Sequence, residues 1–244
     1  DAQWVEKKFR DVISSNIFKK ILSKADFNKD SSSIILGRMK RIFYQHIRAI
    51  ASLHKNSFID IALLREILTL LIPVNTFDQM QIPLKIISTD LKSGQNIINE
   101  KGDLIDALIQ SCAIPGIFRP ISRNNQLIVD GGIGMPIPIL PLKEECDFTI
   151  GVDIGIYEFQ DLDYWNISTI KQRSSIITSN VLKKQLVSKA DFVISPDTMG
   201  LKWSNFNYGE TLLNNGKLAA EKNISILKQM IRDKKNIINS LKNS

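Results

Sequence analysis

The spacing of apolar residues divides the chain into a helical first part and a mixed remainder. Over residues 1–72 the apolar side chains recur every three or four positions, which predicts helices. The polar run NKDSSS at residues 28–33 predicts a break between them, and Pro73 ends the last one. We therefore expect residues 1–72 to form a helical cap or lid and residues 73–244 to form a second region.

From residue 82 onward, short runs of apolar and β-branched residues predict strands. These runs cover residues 83–89, 95–98, 127–129, 148–152 and 192–194. The run at 148–152 is almost wholly apolar, which favours a strand covered on both faces. Helices are predicted at 104–112 and 211–241. Strands alternating with helices indicate a layered α/β fold.

Composition and charge narrow the function classes only slightly. The 244 residues carry a net charge of +7, and the last segment, residues 216–244, has seven basic residues against two acidic ones. Basic ends are compatible with anionic lipid headgroups, with nucleic acid or simply with solvated helix faces. Two cysteines in a chain of this length argue against a disulfide framework and favour a reducing compartment. We expect a cytoplasmic or peripheral membrane location.

The triplet Asp130-Gly131-Gly132 is the most informative site for chemistry. It follows the predicted strand at 127–129 directly, so the carboxylate lies at the rim of the sheet, where open α/β folds bind their ligands. Glycines at this point allow close approach of a ligand or another chain segment. The alternative is an ordinary Asp-Gly turn in which the carboxylate bonds neighbouring amides.

Several motifs in order resemble the patatin-like phospholipase family, in its bacterial type. They are STDL with a nearby glycine at 88–94, SCAIPGIFRP at 111–120, QLIVDGG at 126–132, DFTIGVD at 147–153 and ADFVI at 190–194. Residues 208–220 are similar to the family's closing helix, so the resemblance spans roughly residues 58–230. Motifs that agree in order carry more weight than any one of them alone.

The resemblance implies a three-layer α/β/α sandwich around a mainly parallel central sheet, and a serine–aspartate dyad that cleaves acyl esters of lipids. Asp130 would be the general base of that dyad, and Gly131 and Gly132 would permit its approach to the serine. The turn containing Pro115, Gly116 and Phe118 would shape the pocket wall. The resemblance also implies a reaction without cofactor or metal, and a lipid or acyl ester as partner, with peripheral membrane contact and no nucleic acid.

The chain departs from the family pattern at the nucleophile. The family places a Gly-x-Ser-x-Gly elbow and a glycine-rich oxyanion loop upstream of the region matching residues 58–110, and neither motif occurs in this sequence. We therefore expect a piece that begins after that segment, inactive alone and incomplete at the N-terminus of its α/β domain. Two alternatives stay open: a dead hydrolase scaffold with a regulatory role, and a non-enzymatic lipid-binding module.

Other chemistries have weaker support in the sequence. His46 and His54 are the only histidines and lie in the helical region, far from any predicted strand end, which disfavours a triad. Cys112 and Cys146 lack partners at zinc-ligand spacing. The segment IGVDIG at 150–155 is similar to a phosphate-binding strand of sugar kinases, but the glycines and threonines that should follow it are missing.

Overall fold

A computed structural model describes residues 2–15, 60–155, 157, 159, 166–201 and 208–242. The chain divides into two compact units, Asp1–Gly134 and Met135–Ser244. The predicted break at 28–33, both histidines and most of the expected cap lie outside the described residues. The division of the chain into a cap at 1–72 and a domain at 73–244 stays a prediction.

The first unit combines three α-helices with a four-stranded sheet in the described residues. The helices are α1 (Ala2–Ser14), α2 (Ile61–Leu71) and α3 (Leu104–Ser111), with a short 3-10 helix at Phe77–Gln79. The strands are β1 (Ile86–Asp90), β2 (Asn96–Asn99), β3 (Ile121–Arg123) and β4 (Gln126–Asp130). Their order in the sheet is β2-β1-β4-β3, so β1 and β4 lie in the middle.

Every strand pair in this sheet is antiparallel. The mixed α/β class is confirmed, but the expected mainly parallel sheet is wrong for these four strands. Tight hairpins are the physical reason. Asn124 and Asn125 both have positive φ, 48° and 61°, as a two-residue hairpin turn between β3 and β4 requires. Gly94, with φ 73°, lies in the equally tight connection from β1 to β2. Connections this short cannot join parallel strands.

The core of the first unit lies where α3 packs on the sheet and on α2. Asp103 caps the N-terminus of α3, with its side chain accepting from the Asp106 N–H. The inward face of α3 buries Leu104, Ile105, Ala107 and Ile109. These side chains pack against apolar residues from α2 and β1, including Leu68 and Ile86. Burial of this face fixes α3, and with it the chain that follows, against the sheet.

The second unit contains α4 (Leu140–Lys143), β5 (Ile150–Val152), α5 (Ile167–Val187), β6 (Phe192–Ile194) and α6 (Gly209–Lys242). Strands β5 and β6 pair in parallel. The prediction that the 148–152 run is covered on both faces is wrong for these residues, because Ile150 and Val152 are exposed and only Gly151 between them is buried. Residues 209–242 form a single long helix, as the apolar periodicity allowed.

One carboxylate ties the elements of the second unit together. Asp191, just before β6, accepts from Lys143 Nζ at 2.9 Å, from Lys234 Nζ at 2.7 Å and from the Thr149 hydroxyl at 2.7 Å. The Thr149 N–H also donates to it. These donors, led by Lys234, hold the pKa of Asp191 well below its usual range despite opposition from burial. The cluster therefore joins α4, β5 and α6 around one charge.

Candidate active site

Asp130 is the last residue of β4 and caps the 3-10 turn Gly131–Ile133 that follows. Its backbone N–H donates to the Ala113 carbonyl at 3.1 Å, which joins the strand end to the chain leaving α3. On the other side it lies opposite Ser88 of β1 in the antiparallel register. The position expected at a sheet rim is therefore fixed from two neighbouring elements.

The Asp130 carboxylate is only partly engaged by the protein. Its Oδ1 accepts from the Gly132 N–H at 2.6 Å, and within the described residues Oδ2 receives no hydrogen bond. Partial burial raises the pKa of this carboxyl above its usual value, and the Gly132 N–H offsets the rise in part. A raised pKa makes the carboxylate a better proton acceptor, and one oxygen remains available to accept a proton.

A side chain would meet different neighbours at the two glycines of the triplet. A Cβ on the buried Gly131 would lie 2.3 Å from the Ile87 carbonyl oxygen, so no side chain fits between the turn and β1. At Gly132 the nearest atom would be Oδ1 of Asp130 itself, at 3.0 Å. Gly131 therefore lets the turn pack on the sheet, while Gly132 keeps space around the carboxylate.

A third glycine and two polar side chains support the same turn and were not predicted from the sequence. A Cβ on Gly134 would lie 2.2 Å from Oδ1 of Asn96 and 3.2 Å from Oγ1 of Thr89. The Thr89 hydroxyl donates to the same Asn96 oxygen at 3.3 Å. Only the antiparallel pairing of β1 with β2 and β4 brings these residues together. The strands predicted at 83–89 and 95–98, separated by five residues, were the available signal.

The turn after α3 lies beside the aspartate strand, but its residues differ in exposure. Pro115 and Gly116 are exposed, and Gly116 has a φ of 82°. Phe118 is buried and packs with Ala113 in a small core cluster, so its ring anchors the turn. The role of these three residues in shaping a pocket wall stays a prediction.

Cys112 is half-buried at the end of α3. Burial, and secondly the Asp130 carboxylate, raise the pKa of the Cys112 thiol. A raised pKa leaves less thiolate at neutral pH, which is the opposite of what a nucleophilic cysteine needs. The raised pKa therefore disfavours Cys112 as a nucleophile.

Asp90 and Asp130 end neighbouring strands in opposite environments. Asp90 is 4% exposed and accepts from the N–H groups of Leu127, Lys92 and Ser93 and from the Ser93 hydroxyl. These hydrogen bonds, first that from Leu127, lower its pKa to about 2. Asp90 is thus a turn cap fully occupied by the backbone, whereas Asp130 keeps a free oxygen. The two carboxylates therefore differ in how many of their acceptor positions the protein itself fills.

We expect Asp90→Asn to lower the melting temperature of the protein by several degrees at neutral pH, because an amide cannot accept all of these hydrogen bonds. The folded pKa lies below the ordinary 3.8, so the stabilisation is complete above pH 3.8 and is lost as the pH falls toward about 2. Thermal unfolding of both proteins across this range measures it. The two melting curves should converge at the acid end, and a constant difference at every pH contradicts the assignment.

Asp153, which follows β5 in the second unit, is also engaged by hydrogen bonds. It is buried and accepts from the Gly155 N–H at 2.9 Å and from the Tyr157 hydroxyl at 2.7 Å. Burial, and secondly this hydrogen bond, raise the pKa of Tyr157 to about 12. Asp153 therefore caps the segment after β5.

Two shallow grooves on the first unit are lined by residues other than Asp130. One, beside Arg65, Asp106 and Arg123, also contains the buried Gln110. The other lies along Asn99, Asp103 and Asn124.

Within the described ranges no cluster of three histidine, cysteine or carboxylate side chains is arranged to hold a metal. No described helix combines the length and apolarity needed to span a membrane.

Comparison with known proteins shows the family to which the chain is similar. The profile of the patatin-like phospholipase family matches residues 4–143, which include β1–β4 and Asp130. An uncharacterised NTE family protein of Mycobacterium tuberculosis is 35% identical over 79 residues, or 32% of this chain and 22% of the relative. A protein of Mycobacterium bovis with the same description matches equally. A further NTE family protein of Mycobacterium tuberculosis is 36% identical over 65 residues, or 27% of this chain and 11% of the relative. The alignments thus span at most about a fifth of the length of these relatives.

Proposed function

The chain belongs to the patatin-like phospholipase family, and from this premise we propose that the protein hydrolyses acyl esters of lipids through a serine–aspartate dyad whose aspartate is Asp130. The observation that carries the proposal is the partly buried Asp130 carboxylate, with Oδ1 on the Gly132 N–H and Oδ2 without a hydrogen bond in the described part of the chain. The nucleophilic serine is supplied by a segment outside these 244 residues.

In the proposed reaction the free oxygen of Asp130 accepts the proton of the serine hydroxyl while the serine oxygen attacks the ester carbon. The tetrahedral intermediate then expels the alcohol, which takes the proton from Asp130 and leaves an acyl-serine. Water attacks the acyl-serine with Asp130 again accepting a proton, which passes to the departing serine oxygen. The fatty acid is released and the dyad is restored without a cofactor or a metal.

The local structure supports Asp130 in this role because proton transfer depends on a fixed distance. Oδ1 is held by the turn, so Oδ2 has a defined direction, and partial burial raises the basicity of the pair. The polar groups around Asp90 and Asp153 leave those carboxylates without this freedom. The three-layer sandwich of the whole domain, and a cap formed by residues 1–72, remain part of the proposal.

A second candidate is a dead hydrolase scaffold that binds lipid or a regulatory partner. It is favoured by one sequence observation, which is that no Gly-x-Ser-x-Gly occurs in the 244 residues. The two candidates make opposite predictions for covalent chemistry at serine.

The test uses protein expressed from the whole gene, a short-chain nitrophenyl ester and a fluorophosphonate that labels activated serines. We expect ester hydrolysis, one labelled serine in a glycine-flanked elbow, and loss of hydrolysis after labelling. An active enzyme with no labelled serine would remove the serine mechanism. A folded protein with neither hydrolysis nor labelling would leave the dead scaffold.

A further inference from the structure

Helix α6 has a fixed orientation in the second unit. Leu227, near its middle, is 7% exposed, and Lys234 two turns later donates to Asp191 at 2.7 Å. Lys234 is therefore part of the internal Asp191 cluster and is unavailable to an external partner. Leu227 and Lys234 define the inward side of the helix. Residues rotated from that side by roughly 60° to 100° about the helix axis form a flank at the edge of the buried face.

One flank of α6 carries alternating apolar and basic residues. Ile224 and Ile231 are separated by one heptad, as are Lys228 and Lys235, so each pair forms a row along the helix. Each lysine follows an isoleucine by four positions, which makes the two rows neighbours. Both lysines are exposed, and the isoleucines are 43% and 39% exposed. We call these four residues the Ile-Lys stripe.

The charge of the stripe is not neutralised by the protein. Within the described residues neither Lys228 nor Lys235 forms an ion pair with a carboxylate. Glu221 lies one heptad before Lys228, in the row of the two lysines, and its carboxylate faces Lys217 Nζ at 3.9 Å. Two positive charges of the flank therefore remain after this pair is counted. The opposite flank differs, because there the basic Lys222 shares its side of the helix with Asp233. Only one flank of α6 therefore combines apolar surface with excess positive charge.

We propose that the Ile-Lys stripe binds the surface of an anionic phospholipid membrane. Such a surface offers phosphates to the lysines and hydrocarbon just beneath them to the isoleucines, which matches both rows of the stripe. A nucleic acid backbone would satisfy the lysines but would leave the isoleucines in water. The choice of lipid rests on the proposed function, since a hydrolase of lipid esters meets its substrate at such a surface.

The experiment is co-sedimentation of the whole-gene protein with vesicles of phosphatidylglycerol and phosphatidylcholine, or of phosphatidylcholine alone. We expect binding only to the anionic vesicles and weaker binding at high salt. A lysine at an anionic surface contributes about a fivefold factor in affinity. The double variant Lys228→Gln, Lys235→Gln should therefore bind on the order of twentyfold more weakly.

The matched control is the double variant Lys189→Gln, Lys222→Gln, which removes the same charge from exposed positions off the stripe and should bind within about twofold of the unchanged protein. If both double variants lose the same vesicle affinity, the effect depends on net charge and not on the stripe, which would overturn the proposal. So would stripe-dependent binding to an RNA duplex with unchanged vesicle binding. Vesicle binding is measured without any ester hydrolysis. If the protein binds vesicles through the stripe but hydrolyses no ester, the proposed function fails and the membrane proposal stands.

Discussion

Replacing Asp130 with asparagine should lower kcat for ester hydrolysis by about 10²- to 10⁴-fold, the usual contribution of a positioned general base. The amide oxygen can still accept the Gly132 N–H at the Oδ1 position, so the 3-10 turn should persist. The other end of the side chain then offers an NH₂ group, which cannot take a proton from serine. We expect KM and the melting temperature to change little, measured by steady-state kinetics and thermal unfolding.

The pH dependence provides a second signature of the same residue. Burial raises the pKa of Asp130 above 3.8. As the pH is lowered, the rate of ester hydrolysis should therefore begin to fall at a higher pH than it would with an ordinary aspartate as the base, and we call this fall the acid limb. This acid limb should be missing from the residual activity of the Asp130→Asn variant. The control Asp78→Asn makes the same chemical change at an exposed carboxylate and should leave the rate and the limb unchanged. Undiminished turnover in the Asp130 variant would remove it from the mechanism.

Replacing Gly131 with alanine should lower the free energy of unfolding by about 3 kcal/mol, the upper part of the usual cost of overpacking. The added methyl group would lie 2.3 Å from the Ile87 carbonyl oxygen and 2.6 Å from its carbon, so backbone rather than a flexible side chain must move. The shift would separate the 3-10 turn from β1 and displace Asp130 with it. Denaturant unfolding and the rate of ester hydrolysis should therefore both decline.

Two other glycines serve as controls for this prediction. Gly216 in α6 has open space where a Cβ would be, so Gly216→Ala should stabilise the helix by about 0.5–1 kcal/mol. Gly132→Ala would contact only the Asp130 side chain, and we expect it to reduce activity with little change in stability. If Gly131→Ala is as stable as the unchanged protein, the turn does not pack on β1 as described.

The sequence was sufficient for the individual elements that local rules determine. The helix at 104–111 follows from Asp103 as its cap and from the apolar face of Leu104, Ile105 and Ile109. The strand ending at Asp130 follows from the three apolar residues directly before Asp130 and from the two glycines directly after it. The position of Asp130 at the end of that strand, and the family to which the chain belongs, could be inferred at the same stage.

Strand direction could not be predicted in this way, because it depends on which elements pair. β3 was not predicted, since three residues with one apolar side chain carry almost no periodicity, and only the Asn124-Asn125 turn indicated a hairpin. The exposure of Ile150 and Val152 also contradicts an apolar run that local rules assign to the interior. The sequence singled out Asp130 among the strand-end carboxylates, but the hydrogen bonds that occupy Asp90 and Asp153 became known only from the structure.

β4 is hydrogen-bonded along both sides, to β1 and to β3. Since neighbouring residues of a strand face opposite ways, a single inserted or deleted residue within 126–130 would turn the Asp130 carboxylate to the other face of the sheet. Natural variation in chain length should therefore be absent from this strand and concentrate in exposed loops such as the one at Pro115. In an alignment of homologues, residues 126–130 should therefore contain no insertions or deletions, because their number determines which face of the sheet the Asp130 carboxylate lies on.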